Sequence, residues 1–255
     1  MNAEVPIAEL VAIFLGAARA GAWLMLCPPF SSRLIPGQVK VLLSVGIALP
    51  MAPYLTRTLP STETSAIIAA TALQVFVGAA LGFITYLLFA AVQAAGDMID
   101  VFGGFTLATA YDPMSQNQSS VFGRFYNLVA TTLLFASDGH QLVLRGFMES
   151  YKTLPLDASF SMETFSRLLT EGIGEMFVSA LQIAGPLIAV LFLTDVAFGL
   201  LNRVAPALNA FQLGFPAKIF LVLTLSGTAI AILPRALDGI IDNAVRAVVH
   251  LSGGG

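Results

Sequence analysis

Long apolar runs interrupted by proline set the pattern of this chain. A spanning helix needs roughly 20 apolar residues to cross about 30 Å of hydrocarbon. The run from Ile7 to Cys27 has that length, with Arg19 as its only cation, and Pro28-Pro29 stops it. Proline removes a backbone donor and disfavours helix in the residue before it. A polar connection, Ser31 to Gln38, leads to a short apolar run from Val39 to Leu49, closed by Pro50 and Pro53. Ser65 to Asp97 is too long for one untilted span and predicts a long tilted helix or a bent one. Within it Gly78 and Gly82 form a small-xxx-small pair of the kind that admits another helix closely.

The middle is less regular. Between Gly96 and Ser120 lie Gly103-Gly104, Asp112-Pro113 and the polar cluster Ser115 to Ser120, all turn and loop signals. Irregular backbone cannot face lipid; it is buried in protein, lines water, or lies outside the bilayer. Val121 to Ser137 predicts another apolar helix, and Asp138-Gly139 a turn. From Ser161 to Glu175 the charges Glu163, Arg167, Glu171 and Glu175 recur every four residues opposite Phe165, Leu168, Leu169, Ile173 and Met176, a helix at a water boundary. Phe177 to Leu201 spans again, interrupted by Gly185-Pro186, and Phe215 to Leu233 follows, with Pro216 near its start. Asp238, Asp242, Arg246 and His250 mark a last amphipathic helix, lying along an interface or against a partner.

Composition agrees with this reading. Of 255 residues, 57% are hydrophobic and 11% charged, against about 25% charged in an ordinary soluble domain. So few charges cannot cover a soluble surface of this size, and the apolar surplus faces lipid or a large partner surface. Twelve scattered Lys and Arg at net charge −3 exclude nucleic-acid binding, which needs clustered cations to displace counterions from phosphate. The single cysteine, Cys27, permits no internal disulfide and reads as a small buried hydrophobe. Glu4 and Glu9 precede any cation, so the first run lacks the basic start of a signal peptide and reads as a retained span. Lys and Arg occur in nearly every connection, so the positive-inside comparison sets no orientation.

Little here could do chemistry. His140 and His250 lie far apart, without a Cys or second His at metal-ligand spacing. The sequence carries no nucleophile-elbow, zinc-protease, phosphate-loop or dinucleotide fingerprint, so no enzymatic activity, metal or cofactor is expected. The ionisable residues near apolar segments are Arg19, Asp97, Asp100, Asp195, Arg203 and Lys218. Asp97, Asp100, Arg203 and Lys218 sit near segment ends, where snorkelling accounts for them. Arg19 and Asp195 lie deeper, and a charge at the bilayer centre costs at least about 2.5–3.5 kcal/mol. A pair across helices, or burial against another subunit, accounts for them better than a proton relay. Two classes remain open: a small secondary transporter, and a subunit of a larger membrane assembly. No internal repeat supports the transporter, and the many short, Pro-broken and amphipathic segments favour a subunit.

Particular residues go further. The chain resembles the FliR family and its virulence-secretion counterparts from about Arg19 to Leu233. Arg19, Gly21, Pro29-Phe30 and Ile35-Pro36 are similar to the family's N-terminal pattern. Ala95-Gly96, Ile99-Asp100, Gly104-Phe105, Ala108-Thr109 and Asp112-Pro113 follow in family order, then Phe135, Gly139-His140, Ser150-Tyr151 and Leu154-Pro155. A third run joins Ala184, Pro186, Asp195, Gly199 to Leu201, Arg203, Pro206 to Asn209, Leu213 to Pro216 and Lys218. The chain departs at Phe102, where a polar residue is common, at Asp138 in place of Asn, and at Ala217.

The resemblance implies an all-α, multi-helix integral membrane protein with Pro-broken hairpins and amphipathic helices, packed into a helical export-gate assembly. It implies one FliR-type domain over 1–255, with about 1–155 FliP-like and about 173–251 FliQ-like. The expected partners are FliP and FliQ homologues, other export-apparatus membrane proteins, unfolded secreted substrates and membrane lipid. The expected place is the bacterial inner membrane, in the flagellar basal body. By resemblance Phe105 to Ser119 is a plug in the central channel, with Phe105, Thr106, Leu107, Tyr111, Asp112, Pro113, Met114 and Gln116 as its characteristic residues. Arg19, Asp195, Arg203 and Lys218 are the expected intersubunit or buried charges. Family members pack largely above the bilayer plane, so hydrophobic length reports burial between subunits as well as lipid contact.

Overall fold

A computed structural model of the chain describes residues 7–60, 63–106, 120–157, 162–206 and 212–227. Every regular element among them is helical. In order these are α1 (Ile7–Leu26), α2 (Gly37–Ala48), a 3-10 turn (Leu49–Met51), α3 (Ala52–Leu55), a second 3-10 turn (Thr56–Thr58) and α4 (Thr64–Gly103). Then come α5 (Val121–Ala136), α6 (Gly139–Thr153), α7 (Met162–Val204) and α8 (Gln212–Gly227). Four runs are long and apolar enough to cross a membrane: Ile7–Leu26, Gly37–Thr58, Thr64–Gly103 and Phe165–Val204. The fold is that of an all-α, multi-helix membrane protein.

The chain forms two compact units. The first contains α1, α2, α3, α4 as far as Leu88, α6, and α7 as far as Ile173. Its base is a helical hairpin. After α1 the Ser31 N–H donates to the Cys27 carbonyl (2.9 Å) across Pro28-Pro29, a cis bond, and Pro36 precedes α2 with extended backbone (ψ 144°). Small residues draw the two helices together. A Cβ on Gly16 would lie 3.3 Å from the Ala48 Cβ and 2.6 Å from Leu55, and one on Gly21 would lie 3.8 Å from Ser44. The predicted close approach at Gly78 and Gly82 occurs, and the partner is α1. A Cβ on Gly78 would collide with the Arg19 carbonyl, and one on Gly82 would lie 2.9 Å from the Trp23 carbonyl oxygen. Trp23 stacks on Phe147 of α6 with ring centroids 4.4 Å apart, and Leu15, Leu24, Leu55, Leu81 and Tyr151 complete the buried centre. Cys27 is fully buried, as a small hydrophobe in an apolar run is expected to be.

The second unit contains the rest of α4, α5, the rest of α7 and α8. Two expectations change here. Gly96 does not begin an irregular stretch: α4 runs on to Gly103. Gly96 serves as a contact instead, since a Cβ there would lie 2.5 Å from the Phe122 carbonyl oxygen and 2.6 Å from the Gly123 Cα. Nor does Pro186 interrupt α7, which stays helical from Met162 to Val204 and merges the amphipathic segment with the span that follows. An interior proline costs roughly 3 kcal/mol, yet Ala180, Ala184, Leu187 and Leu191 keep one helical register across it and bury one face. Packing overrides the local breaker. The opposite face of α7 leaves Phe177, Val178, Leu181, Phe192, Leu193 and Leu200 exposed.

Candidate functional site

Arg19 forms the most developed polar centre in the first unit. It projects from the middle of α1 and is 1% exposed. Its Nε donates to Gln74 Oε1 (2.6 Å), Nη1 to the Ser150 carbonyl (2.9 Å) and Nη2 to the Leu154 carbonyl (2.7 Å). Both carbonyls lie at the C-terminal end of α6, the negative end of its dipole, and the Ser150 carbonyl also accepts the Leu154 N–H (2.9 Å). The counter-charge to this buried cation is therefore a helix terminus. The sequence points to a pair across helices or burial against another subunit, and the partners among the described residues are neutral acceptors, Gln74 of α4 and two carbonyls at the end of α6. The guanidinium also lies 4.8 Å from the Tyr151 ring centroid, a cation–π contact. Tyr151 in turn donates its hydroxyl to the Gly16 carbonyl (2.7 Å). Burial pushes that hydroxyl up, so it remains a neutral donor.

In the second unit the structure describes the first two residues of the expected plug and the residues that flank it on either side. Leu107, Tyr111, Asp112, Pro113, Met114 and Gln116 lie outside the described residues; Phe105 and Thr106 lie within them. At the entry Gly104 has φ 83°, a left-handed conformation that glycine adopts without strain and that ends α4. A Cβ on Gly104 would lie 3.1 Å from the Phe215 ring, and one on Gly103 would lie 2.9 Å from Val222, so α8 packs against this turn. Phe105 meets the Phe122 ring edge to face at 5.2 Å.

At the exit Ser120 caps α5. Its Oγ accepts the Gly123 N–H (2.7 Å) and donates to Asp100 Oδ2, which also accepts the Phe122 N–H (3.0 Å). Asp100 is buried and occupied by this cap, which overturns its reading as a snorkelling residue. Its carboxylate sits at a helix N-terminus, where negative charge is favoured. Entry and exit of the segment are thus both anchored to α4, the entry through Gly104 and the exit through Asp100.

Two other expected charges meet. Lys218 of α8 lies 2.5 Å from Asp195 of α7, and its Nζ also donates to the Phe102 carbonyl (3.4 Å). The Asp195 side chain is half exposed, so this pair is partly solvated and worth at most about 1 kcal/mol. Arg203 is exposed in the last turn of α7, where a cation complements the dipole. No group of three or more His, Cys, Asp and Glu that could hold a metal occurs among the described residues.

The partners that sequence reasoning missed are Gln74, Tyr151 and Ser120. Gln74 had a signal, being the one amide between Ser65 and Val92. Ser120 had a stronger one, a small hydroxyl residue immediately before an apolar helix.

The family model for bacterial export proteins, family 1, matches residues 10–244. The flagellar biosynthetic protein FliR of Bacillus subtilis is 31% identical over 252 residues, covering 95% of this chain and 96% of that protein. This chain belongs to the FliR family. A FliR of Pectobacterium carotovorum is 33% identical over 207 residues, covering 81% of this chain and 79% of its own length. The secretion system apparatus protein SsaT of Salmonella typhimurium is 28% identical over 179 residues, covering 70% of this chain and 68% of that protein.

Proposed function

We propose that this FliR-family chain is a core subunit of the flagellar type III protein-export gate, which forms the channel for unfolded flagellar proteins in the inner membrane. The observation that carries the reading is similarity to flagellar FliR proteins at nearly full length. The structure supports it through what it leaves uncovered. Apolar side chains stand exposed along α2 and along one face of α7, as surfaces do that lipid or neighbouring subunits cover. FliP and FliQ homologues are the neighbours proposed, with about 1–155 as the FliP-like part and about 173–251 as the FliQ-like part. The segment from Phe105 to Ser119 is proposed as the plug, and the anchoring of its ends through Gly104 and Asp100 supports that role. The chain then works as a conduit component and catalyses nothing.

Co-expression with the FliP and FliQ homologues tests this. Under the proposal the three co-purify, and the chain resists protease better in their company than alone. Equal resistance alone, or substrate-driven uptake by the isolated chain in liposomes, would overturn it.

A further inference from the structure

The α1–α2 hairpin combines two features. The first is exposure. In α2 only Ser44 and Ala48 are buried, on the seam against α1, while Val39, Val41, Leu42, Leu43 and Val45 all stand exposed. Leu42 is 72% exposed, and Leu34, in the turn before α2, is 92% exposed. Apart from Gln38, Lys40 and Ser44 the helix is apolar, which suits a core or lipid, and only its seam against α1 is buried.

The second feature is charge. Between Glu9 and Glu63 the sequence holds no Asp or Glu, yet it holds Arg19, Arg33, Lys40 and Arg57, in a chain whose net charge is −3. Arg19 is consumed by the centre described above. Arg57 closes the hairpin at the end where Glu9 starts α1 and Glu63 precedes α4. Arg33 and Lys40 flank the turn at the other end, and neither makes an ion pair with a described carboxylate. The exposed face of α7 lacks this polarity: its Asp195 is paired with Lys218.

We propose that the turn end of this hairpin, Arg33 to Leu42, is a binding surface for anionic phospholipid. Acyl chains lie along Leu42 and Val39, Leu34 inserts beside them, and Arg33 and Lys40 take the headgroup phosphate. Apolar contact alone would accept any lipid; two unpaired cations at the rim select the anionic one. Each cation near a bilayer surface favours anionic lipid by about fivefold, the ratio corresponding to about 1 kcal/mol. The proposal rests on the membrane assignment above and adds a lipid class and a location.

The test uses the full chain in lipid nanodiscs. A Leu42→Cys variant is labelled with an environment-sensitive fluorophore, Cys27 being buried and out of the label's reach. Spin-labelled phosphatidylcholine or phosphatidylglycerol is then supplied at equal mole fraction, and Leu34→Cys provides a second reporter should the first fold poorly. Both lipids should quench, the glycerol lipid at an effective local concentration at least about fivefold higher. Adding Arg33→Gln and Lys40→Gln should remove that preference and leave quenching by the choline lipid. Equal quenching by the two lipids in the parent overturns the proposal. So does absence of quenching while the chain resists alkaline extraction from membranes, which would mean that protein covers this face. Release by alkaline extraction would instead overturn the membrane assignment itself, and the proposal with it.

Discussion

Replacing Arg19 by leucine should be among the most damaging single changes in the first unit. The substitution strands two buried acceptors, Gln74 Oε1 and the Leu154 carbonyl, while the Ser150 carbonyl keeps the Leu154 N–H (2.9 Å). An unsatisfied buried acceptor costs about 1–3 kcal/mol. Water admitted into the vacated volume recovers part of the sum, so a net loss of about 2–4 kcal/mol is expected for these two groups. Against a typical total of about 5–15 kcal/mol that is a large fraction. Arg19→Lys should lose less, about 1–2 kcal/mol, because an ammonium still reaches carbonyls but lacks the planar fork that also engages Gln74. The Arg19→Leu, Gln74→Leu pair should be less than additive, by about 1 kcal/mol, since the second change removes a stranded group. Denaturant unfolding in detergent, followed by Trp23 fluorescence, gives the energies, and hydrogen exchange at the C-terminal end of α6 locates the loss. A shift below about 0.5 kcal/mol for Arg19→Leu would refute the reasoning, since ordinary surface substitutions fall in that range.

Three further outcomes follow from the packing and the caps. Gly78→Val should displace α4 from α1, because even a Cβ collides with the Arg19 carbonyl; a loss of about 2 kcal/mol or more is expected, and an unchanged unfolding midpoint would count against the described contact. Asp100→Ala should weaken the start of α5 by about 1–2 kcal/mol, seen as faster amide exchange at Phe122 and Gly123, with Asp100→Asn recovering part because an amide oxygen still accepts. Deleting Tyr111 to Gln116 should leave co-purification with FliP and FliQ homologues intact and raise ion conductance through the closed gate; normal conductance and normal secretion would place this loop outside the channel.

Element type was legible wherever a long apolar run met a strong stop. Ile7 to Cys27 ended at Pro28 as read, because two consecutive prolines leave a helix no donors to continue with. Where the breaker was weaker, the sequence misled. Gly96 and Gly185-Pro186 looked like interruptions, yet both sit inside helices that register and packing carry through. Glycine signals equally a bend and a close approach, and only the neighbour that arrives decides between them. Among the site residues, burial of Arg19 was readable from an isolated cation in an apolar run. Its partners were not, because backbone carbonyls at a distant helix end have no side-chain signature. Asp100 was misplaced for a related reason: proximity to a segment end suggests solvent, whereas here that end meets the start of another helix.

The forty residues of α4 set a limit on how this molecule can sit in a membrane. At 1.5 Å per residue the helix has a contour of about 60 Å, twice the hydrocarbon thickness. Even at a tilt of about 40°, the upper end of what spanning helices show, a layer of about 30 Å admits only about 39 Å of helix. At least about 20 Å, or roughly fourteen residues, therefore projects beyond the lipid. An ordinary membrane protein would make that projection polar. Here the residues from Ala66 to Val92 include no charge and only Thr71, Gln74, Thr85 and Tyr86 as polar side chains, and buried positions continue through Ala95 and Ile99. Whichever end emerges, a largely apolar helix stands where water would otherwise be, and protein must sheath it, whether this chain's own helices or its neighbours'. The length of one helix thus asks for a proteinaceous collar outside the bilayer, a requirement that a protein confined to the membrane would never impose.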